Sequence, residues 1–470
     1  MKFGKGTLFL LSILSAASIF GISTDISMSS KEIAFTEYLA SGDPSFAEDL
    51  TLTTGSQALR QLHWQTEKSF HNNLSTAFSL EKGDPDPIPW SYGLDLFSPF
   101  QEGVSSSTPL PPFSPEDAWK QALADQAPEP GVAVIVDLAE VLDTYPLDLD
   151  LMPDAFGQMD PGFPYQSFQQ DMASRFSFPV LPGHQVSVVV EGDRNDPTRI
   201  THTNVPDTGF DADLHCLPSS SGFWFLPELQ DTEGTLLDYS ATPGYGVYLL
   251  TLDPEDPSFY DCSLFCPLSE DSRPERFCTS PDGHTLFCIL ETAEGWQLLI
   301  LHDQHPEWRQ TLPLKADPTQ EHVMILPESD FFLLTQGYDG VLYQRDWNGH
   351  YQMELTCALP QEACFLPAFW QTQAPAPRPY AMAYENGLLA LATRPDASTN
   401  SQGLSSANSI ALSVFQRDAP DPQPIYACFY VNSLDRGNSL YLPSPVTPES
   451  LSLTWDSPEG GPSHGNDPDN

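Results

Sequence analysis

The sequence predicts a mainly β fold of repeated four-stranded units, preceded by a partly helical N-terminal region. From about residue 178 onward, short apolar runs alternate with turn residues, which is typical of consecutive antiparallel strands. The clearest stretch, Phe277 to Asp303, opens on Ser280-Pro281-Asp282-Gly283 and turns again at Glu294-Gly295. Proline pre-sets φ and glycine tolerates positive φ, so both turns favour short hairpins.

Two adjacent units can be followed strand by strand. The first has strands at FCT, TLFCILE, GWQLLILH and WRQTLPL, and the second at HVMIL, FFLLTQ, VLYQRDW and YQMELTCAL. Asn348-Gly349, before the last of these runs, is a strong hairpin signal. Proline recurs near the start of such units, at residues 182, 218, 281, 327, 367 and 443. Gaps near 40 residues match the length of a four-stranded propeller blade.

The C-terminal half, from about Phe178 to Trp455, resembles a β-propeller repeat protein of the WD40 or TolB-like kind. The resemblance is carried by Ser280-Pro281-Asp282-Gly283 at the entry to a strand, and by looser versions at Pro218 and Pro327. It implies a rigid face of loops that is used for recognition. A β-sandwich or an irregular stacked sheet is the alternative architecture.

The first 23 residues are predicted to be a secretory signal peptide. Lys2 and Lys5 precede the apolar run Leu8 to Phe20, and small residues follow at Gly21 and Ser23. The run is too short and wrongly flanked for a membrane span, although an uncleaved anchor is the alternative. We therefore expect an exported protein, periplasmic or secreted, with no membrane span in the mature chain.

Three further regions are predicted: 24–175, partly helical and rich in Pro and Ser; 176–456, propeller-like; and 457–470, a disordered tail. A capping box at Ser29 to Glu32 predicts one helix, and apolar spacing within Ser56 to Leu80 predicts a second. Ser114-Pro115 predicts the start of a third helix that ends near Gln126. VAVIVDLAEVL, from Val132, predicts a buried strand.

The charge balance restricts the partners. The chain has 64 acidic and 19 basic residues, and its formal net charge is −45. Such a field repels nucleic acid, so we expect a protein partner, with basic partners favoured, or divalent cations. Solubility, or adaptation to a salty medium, is the alternative explanation.

The best candidate for chemistry is the segment Asp211-Ala212-Asp213-Leu214-His215. Alternate side chains of a strand share a face, so Asp211, Asp213 and His215 are predicted metal ligands, or paired carboxylates for acid–base work. A polar strand face is the alternative. Acidic residues within 147–170 suggest calcium, but they lack the EF-hand spacing. The motifs of zincins and nucleotide-binding loops are absent from the sequence.

Eight cysteines are disulfide candidates in an exported chain: Cys216, Cys262, Cys266, Cys278, Cys288, Cys357, Cys364 and Cys428. The sequence allows any pairing among them. Several lie inside apolar runs, so plain buried thiols are the alternative interpretation.

Eight aromatic residues suggest either a ligand platform or packing between blades: Phe223, Trp224, Phe225, Trp296, Trp308, Trp347, Phe369 and Trp370. The function that the sequence favours is recognition of a protein or ligand by the propeller-like region, without a catalytic signature. One alternative is a hydrolase or lyase that uses carboxylates such as Asp211 and Asp213. Another is a calcium-stabilised structural protein of the envelope.

Overall fold

In the computed structural model, the described residues fall in eighteen segments: 35–58, 62–69, 75–80, 92–108, 118–127, 129–153, 166–167, 177–193, 196–206, 208–230, 244–252, 260–269, 271–315, 317–318, 323–359, 378–394, 409–432 and 447–455. The predicted signal peptide (1–23) and tail (457–470) lie outside them.

The described chain is almost entirely β-structure. Its strands are β1 (Phe35–Gly42), β2 (Leu50–Ala58), β3 (Leu62–Ser69), β4 (Ser75–Leu80), β5 (Tyr92–Phe97), β6 (Ser105–Thr108), β7 (Val134–Asp137), β8 (Asp148–Pro153), β9 (Gln166–Ser167), β10 (Gln185–Asp193), β11 (Asp196–Asn204), β12 (Asp211–Pro218), β13 (Gly222–Gln230), β14 (Gly246–Leu252), β15 (Tyr260–Pro267), β16 (Arg273–Thr279), β17 (Thr285–Thr292), β18 (Gly295–His302), β19 (Gln310–Pro313), β20 (Val323–Pro327), β21 (Phe331–Gln336), β22 (Asp339–Arg345), β23 (Tyr351–Ala358), β24 (Arg378–Glu385), β25 (Leu388–Arg394), β26 (Ser409–Gln416), β27 (Tyr426–Asn432) and β28 (Thr447–Trp455). One α-helix is described, α1 (Ala118–Ala124).

Within the described segments the strands form seven antiparallel sheets. In spatial order of their strands these are sheet 1 (β28-β2-β3-β4), sheet 2 (β5-β8-β9), sheet 3 (β6-β11-β10-β7), sheet 4 (β12-β13-β14-β15), sheet 5 (β16-β17-β18-β19), sheet 6 (β20-β21-β22-β23) and sheet 7 (β24-β25-β26-β27-β1). Sheets 4, 5 and 6 are each built from consecutive strands. The eight strands predicted for the two adjacent units are confirmed as sheets 5 and 6.

The same backbone hydrogen bonds recur in successive sheets. The turn between the first and second strands closes through Ser219 N–H to Gly222 O (2.8 Å), Ser280 N–H to Thr285 O (2.9 Å) and Glu328 N–H to Phe331 O (2.8 Å). Pro218, Pro281 and Pro327 all lie at this turn, which confirms the predicted repeat there. Pro367 and Pro443 lie outside the described residues.

A second set of hydrogen bonds marks the end of the third strand. In sheets 4 to 7, in order, these bonds are Leu252 N–H to Ser221 O (2.9 Å), Asp303 N–H to His284 O (2.9 Å), Arg345 N–H to Asp330 O (2.8 Å) and Arg417 N–H to Gly387 O (2.8 Å). Sheets 4 to 7 therefore repeat one local geometry, although their side chains at these positions differ.

Sheets 1 and 7 combine strands from both ends of the chain. β1 pairs with β27, and β2 pairs with β28 from Leu50 opposite Trp455 to Gln57 opposite Thr447, with one register shift between Gly55 and Ser56. We call sheets 1 and 7 the mixed sheets. The predicted division at residue 175 stays a prediction, although strands from both sides of it share these sheets.

The predictions of one helix near Ser29 and a second within Ser56 to Leu80 are wrong for the part of these stretches that the structure describes, which forms β-strands. β1 covers the first and β2, β3 and β4 occupy the second. The apolar spacing that favoured a helix is overridden by hydrogen bonding to β27 and β28, since tertiary pairing outweighs a propensity of a few tenths of a kcal/mol per residue. The third prediction is confirmed in part by α1. A strand is confirmed as β7, but of its residues only Val136 is buried, and Ile135 is 64% exposed, so the predicted burial holds only in part.

The apolar cores lie between neighbouring sheets, in series. Leu226 of sheet 4 packs with Leu299 of sheet 5, and Ile300 of sheet 5 packs with Phe332 of sheet 6. Leu342 of sheet 6 packs with Leu391 of sheet 7, whose other face shares a core with Leu52 of sheet 1. Each central sheet is thus buried on both faces, unlike the sheets of a two-layer sandwich. The chain is a β-propeller-like repeat protein.

Candidate functional site

Two kinds of loop meet at one end of sheets 4, 5 and 6. Because antiparallel strands alternate in direction, the turn from the first to the second strand lies at the same end as the connection from the third to the fourth. The side chains that these loops bring together form what we call the histidine–tryptophan face: Ser220, His284, Asp303, His305, Trp308, Arg345 and Trp347.

A buried carboxylate organises the first part of this face. The Asp303 side chain is 3% exposed. Its Oδ2 accepts a hydrogen bond of 2.5 Å from Ser220 Oγ of sheet 4, and its Oδ1 lies 2.9 Å from His284 Nδ1. An ionised carboxylate only accepts, so the contact with Asp303 uses an N–H at Nδ1 of His284; Gln304 Nε2 also lies 3.3 Å from that nitrogen. The His284 ring is 30% exposed, which leaves this dyad in contact with solvent.

The turn predicted at Ser280 to Gly283 supports the dyad. Gly283 has φ of +75°, and its N–H bonds to Ser280 O at 2.9 Å, as expected for a tight turn. Its carbonyl accepts from Ser220 N–H at 3.1 Å, and an added Cβ would lie 2.7 Å from that nitrogen. Glycine therefore allows the close approach that brings Ser220 to Asp303.

The neighbouring Asp282 holds the turn of sheet 5. Ser280 Oγ donates to its Oδ1 at 2.5 Å, and His284 N–H donates to the same oxygen at 3.1 Å. Burial acts to raise its pKa, but these hydrogen bonds and one from Ser329 outweigh burial and lower the pKa of Asp282. The carboxylate therefore stays ionised and fixes the turn of sheet 5.

His302 is the buried histidine beneath this face. Its ring stacks on His284 with centroids 5.7 Å apart, and its Nδ1 accepts from Gln304 N–H at 3.3 Å. Burial, helped by the charge of Arg345, lowers the pKa of His302 to about 4. His302 is therefore neutral at physiological pH, and it acts as a polar packing group.

An aromatic platform forms the second part of the face. His305 stacks on Trp308 with ring centroids 3.8 Å apart, and the Arg345 guanidinium lies 5.7 Å from the Trp308 centroid. On the sheet 6 side, Gly349 has φ of +82°, and an added Cβ would lie only 1.9 Å from Trp308 Cδ2. The β22–β23 turn is thus seated directly on the indole of sheet 5.

Trp347 lies at the tip of that turn and is 89% exposed. The turn itself is tightly bonded. Asp346 Oδ1 accepts from the N–H groups of Asn348 (2.8 Å) and His350 (3.0 Å), and Asp346 O accepts from Gly349 N–H at 3.0 Å. A large apolar side chain is therefore displayed to solvent on a rigid support.

The predicted metal ligands lie on β12, as expected, but the structure gives the described members separate partners. Gln101 Nε2 contacts Asp211 Oδ1 at 3.5 Å. His215 Nε2 lies 3.3 Å from Glu228 Oε2, and its ring stacks on Phe277. The Asp213 side chain lies outside what is described, as does most of the acidic loop proposed for calcium. Among described residues no group of three or more ligands is placed to hold a metal, and the metal and calcium interpretations stay predictions.

Five of the eight disulfide candidates are free thiols: Cys216, Cys266, Cys278, Cys288 and Cys357. Cys364 lies outside the described residues. Burial raises the pKa of Cys216 to about 11 and those of Cys278 and Cys357 to about 12. The burial of these thiols fits the alternative of plain buried thiols, and the disulfide pairing of the chain stays a prediction.

The structure separates the predicted aromatic residues into two groups. Phe223, Trp224 and Phe225 are buried, and Trp296 packs against the core of sheets 5 and 6. Trp308 and Trp347 lie on the histidine–tryptophan face. Phe369 and Trp370 fall outside the described residues.

The Asp303–His284 dyad was missed from the sequence, although a signal existed. Thr292 pairs with Gly295 across a two-residue loop, and Thr285 pairs with His302 at the other end of the hairpin. One step further along the same register brings His284 opposite Asp303. The short turn at Glu294-Gly295 was enough to predict this pair.

The chain matches no protein-family model and no curated protein. It is similar in structure to the periplasmic gluconolactonase of Pseudomonas aeruginosa, at 13% identity and a TM-score of 0.30, over 86% of this chain and 99% of that one. It is also similar to a Lactobacillus plantarum protein, at 11% identity and a TM-score of 0.25, over 81% and 98%. A third is the β-propeller domain of Myceliophteria thermophila Swd1, at 7% identity and a TM-score of 0.22, over 51% and 84%.

Similarities of this size carry no argument about activity, so the fold assignment rests on the strand pairing described above. Within the segments that the structure describes, no helix is both long and apolar enough to cross a membrane.

Proposed function

We propose that this protein is a recognition module that binds a protein partner through the histidine–tryptophan face. The observation that carries the proposal is the 89% exposure of Trp347 on a turn held by Asp346 and seated on Trp308. Tryptophan, tyrosine and arginine dominate binding energies at protein interfaces. A rigid support limits the conformational entropy that binding removes.

The polar groups around Trp347 suit a protein surface. Arg345 bonds through Nη2 to Asp330 Oδ1 at 2.6 Å, and Asp330 remains 70% exposed at its side chain. His305, which stacks on Trp308, forms an exposed pair with Glu307 at 3.2 Å. An aromatic centre with charged groups of both signs at its edge is the usual arrangement of a protein interface. The overall charge of −45 adds attraction for basic partners.

The test is capture of partners by the immobilised protein from envelope and culture extracts, compared with a Trp347→Ala variant. The wash contains about 0.5 M NaCl, which shortens the Debye length to a few ångströms and removes loose charge attraction. We expect a saturable partner to be retained by the native protein and to bind Trp347→Ala at least about 30-fold more weakly, as for an interface hot spot.

Ile135→Ala is the matched control, because Ile135 is also a large exposed apolar residue, at 64% exposure, but lies on β7 of sheet 3. Equal retention by Trp347→Ala and Ile135→Ala would reject this face as the binding surface. Retention of nothing above background by the native protein would reject the recognition function itself.

A second candidate function is hydrolysis, and the Asp303–His284 dyad is the observation that favours it. A buried carboxylate that holds Nδ1–H leaves Nε2 of His284 able to take a proton from an attacking water molecule. This proposal places the base on the loops of sheet 5, away from Asp211 and Asp213 of β12.

A panel of lactones and p-nitrophenyl esters tests this candidate, with His284→Gln beside His350→Gln. Turnover that is lost in His284→Gln and kept in His350→Gln would establish the dyad as a base. Turnover at the same rate in both variants, or none in the native protein, would exclude it.

A further inference from the structure

Trp347 is the most exposed large hydrophobic side chain that the structure describes, at 89%. The turn that carries it is fixed by three hydrogen bonds to Asp346 and by the contact of Gly349 with Trp308. The indole is therefore presented in one position, and its exposure leaves it open to a group from another molecule.

The surroundings of this indole are acidic. The β16–β17, β18–β19, β20–β21 and β22–β23 connections lie at this end of sheets 5 and 6. Together with the last residue of β22 they carry two guanidinium groups, on Arg309 and Arg345, and six carboxylates, on Asp282, Asp303, Glu307, Glu328, Asp330 and Asp346. With the histidines neutral, the local charge is −4. A cationic group is therefore attracted to this surface, and an anionic group is repelled.

Trp308 shows inside the chain how such an indole takes a cation. The guanidinium of Arg345 lies over its ring, 5.7 Å from the centroid. The same guanidinium bonds through Nη2 to Asp330 Oδ1 at 2.6 Å. An indole, a guanidinium and a carboxylate thus stand together where sheets 5 and 6 meet. Trp347 lies on the same loops, but no cation of the described residues is placed over its ring.

We propose that Trp347 binds an arginine side chain of the partner, which stacks on the indole and pairs with a carboxylate of the neighbouring turns. The inference rests on the proposed recognition function and names the chemistry of the partner. Guanidinium stacks on aromatic rings and binds carboxylates through parallel N–H donors, whereas the ammonium of lysine is compact and more strongly hydrated. Asp330 remains 70% exposed, and in its described contacts it uses only Oδ1. Its Oδ2 is the acceptor that we assign to the partner's guanidinium.

The experiment titrates the full-length protein with fluorescently labelled peptides and follows their anisotropy. Three capped peptides of glycine and serine carry two arginines, two lysines or two citrullines, and citrulline keeps the shape of arginine without its charge. The buffer contains about 0.15 M NaCl, where the Debye length of about 8 Å limits attraction from distant charges. We expect the arginine peptide to bind about tenfold more tightly than the citrulline peptide and about threefold more tightly than the lysine peptide.

Two variants test the two halves of the contact. Trp347→Leu keeps an exposed apolar side chain but removes the aromatic ring, so most of the preference for arginine over citrulline should be lost. Asp330→Asn keeps an oxygen that accepts from Arg345 Nη2 but removes the negative charge, and it should weaken binding of the arginine peptide about threefold. Asp271→Asn is the control for net charge, because Asp271 is exposed on the β15–β16 connection at the opposite end of the sheets.

Equal binding of the arginine and citrulline peptides would overturn the inference. So would tighter binding of a matching peptide with two glutamates, or an unchanged arginine preference in Trp347→Leu. The capture experiment keeps the two proposals apart. A partner that is retained through Trp347, together with any of these three results, would leave the recognition function in place and reject only its preference for arginine.

Discussion

Sheets 5 and 6 and the mixed sheets are all antiparallel sheets of four or five strands, but their strands have different origins in the chain. The strands of sheet 5 all lie within 273–313, and each pairs with the next through a short connection. In sheet 1, by contrast, Leu52 pairs with Leu453. Short loops cost little entropy to close, whereas pairing of distant residues has to overcome the ordering of the chain between them. The comparison teaches that one repeat unit is specified locally and another only by the completed fold.

The largest expected effect comes from removing the C-terminal strand. Deletion of residues 447–470 removes β28, leaves β2 with an unpaired edge and takes Leu453 out of the shared core of sheets 1 and 7. We expect a loss of about 4 kcal/mol or more in the free energy of unfolding, since removing a buried leucine side chain alone costs about 2–5 kcal/mol. Urea unfolding followed by circular dichroism measures it.

Deletion of 457–470 alone is the control, because it keeps β28 complete. Unfolding curves that superimpose for the two deletions would show that the mixed sheets do not depend on the C-terminal strand.

A smaller effect is expected at the contact between sheets 5 and 6. Gly349→Ala places a methyl group 1.9 Å from Trp308 Cδ2 at a φ of +82°. The strained backbone costs about 1–2 kcal/mol, and the clash with the indole adds to this cost. We therefore expect the free energy of unfolding to fall by about 2–4 kcal/mol in total. The melting temperature and urea midpoint measure the loss.

Gly337→Ala separates the two causes, because Gly337 has φ of +61° and open space around its Cβ position. It should cost only the backbone part, about 1–2 kcal/mol. An equal loss in both variants would mean that the turn does not rest on Trp308.

The smallest expected effect is a pH dependence of stability that arises from His302 in sheet 5. His302 has a folded-state pKa of about 4, below the usual value of 6.5. Between these values the unfolded chain binds a proton that the folded protein does not, so stability falls as the pH is lowered from 6.5 towards 4. After allowance for solvent screening, we expect about 1–2 kcal/mol from this residue.

His302→Gln should flatten that part of the stability–pH curve, measured by urea unfolding at several pH values. Burial also lowers the pKa values of His184 and His202 in the region of sheet 3, so part of the slope should remain. His350→Gln is the control and should leave the slope intact. An unchanged slope in His302→Gln would assign the acid sensitivity to other groups.

The turn chemistry at Ser280 to Gly283, at Glu294-Gly295 and at Asn348-Gly349 was sufficient to predict sheets 5 and 6. In each case proline or glycine answers a local backbone requirement that is visible in the sequence. The apolar residues of β2 to β4, by contrast, led to the wrong prediction of a helix. Their spacing fits a helix as well as strands, and the choice is made by β28, which lies at the other end of the chain.

The candidate site was likewise predictable from the sequence only in part. The sequence named Trp308 and Trp347 among eight aromatic residues, but only the packing of Trp308 on Gly349 shows which of them are supported and exposed. Ser220 reaches Asp303 across two sheets, and no spacing in the sequence predicts that contact.

The sequence by itself determined the β class of the C-terminal half, its repeat and its acidic charge, because turns, alternation and composition are local properties. The tertiary structure alone decided the mixed sheets and the histidine–tryptophan face. Each of these depends on the approach of residues that are distant in sequence, and the free energy of that approach comes from burial and pairing in the whole fold.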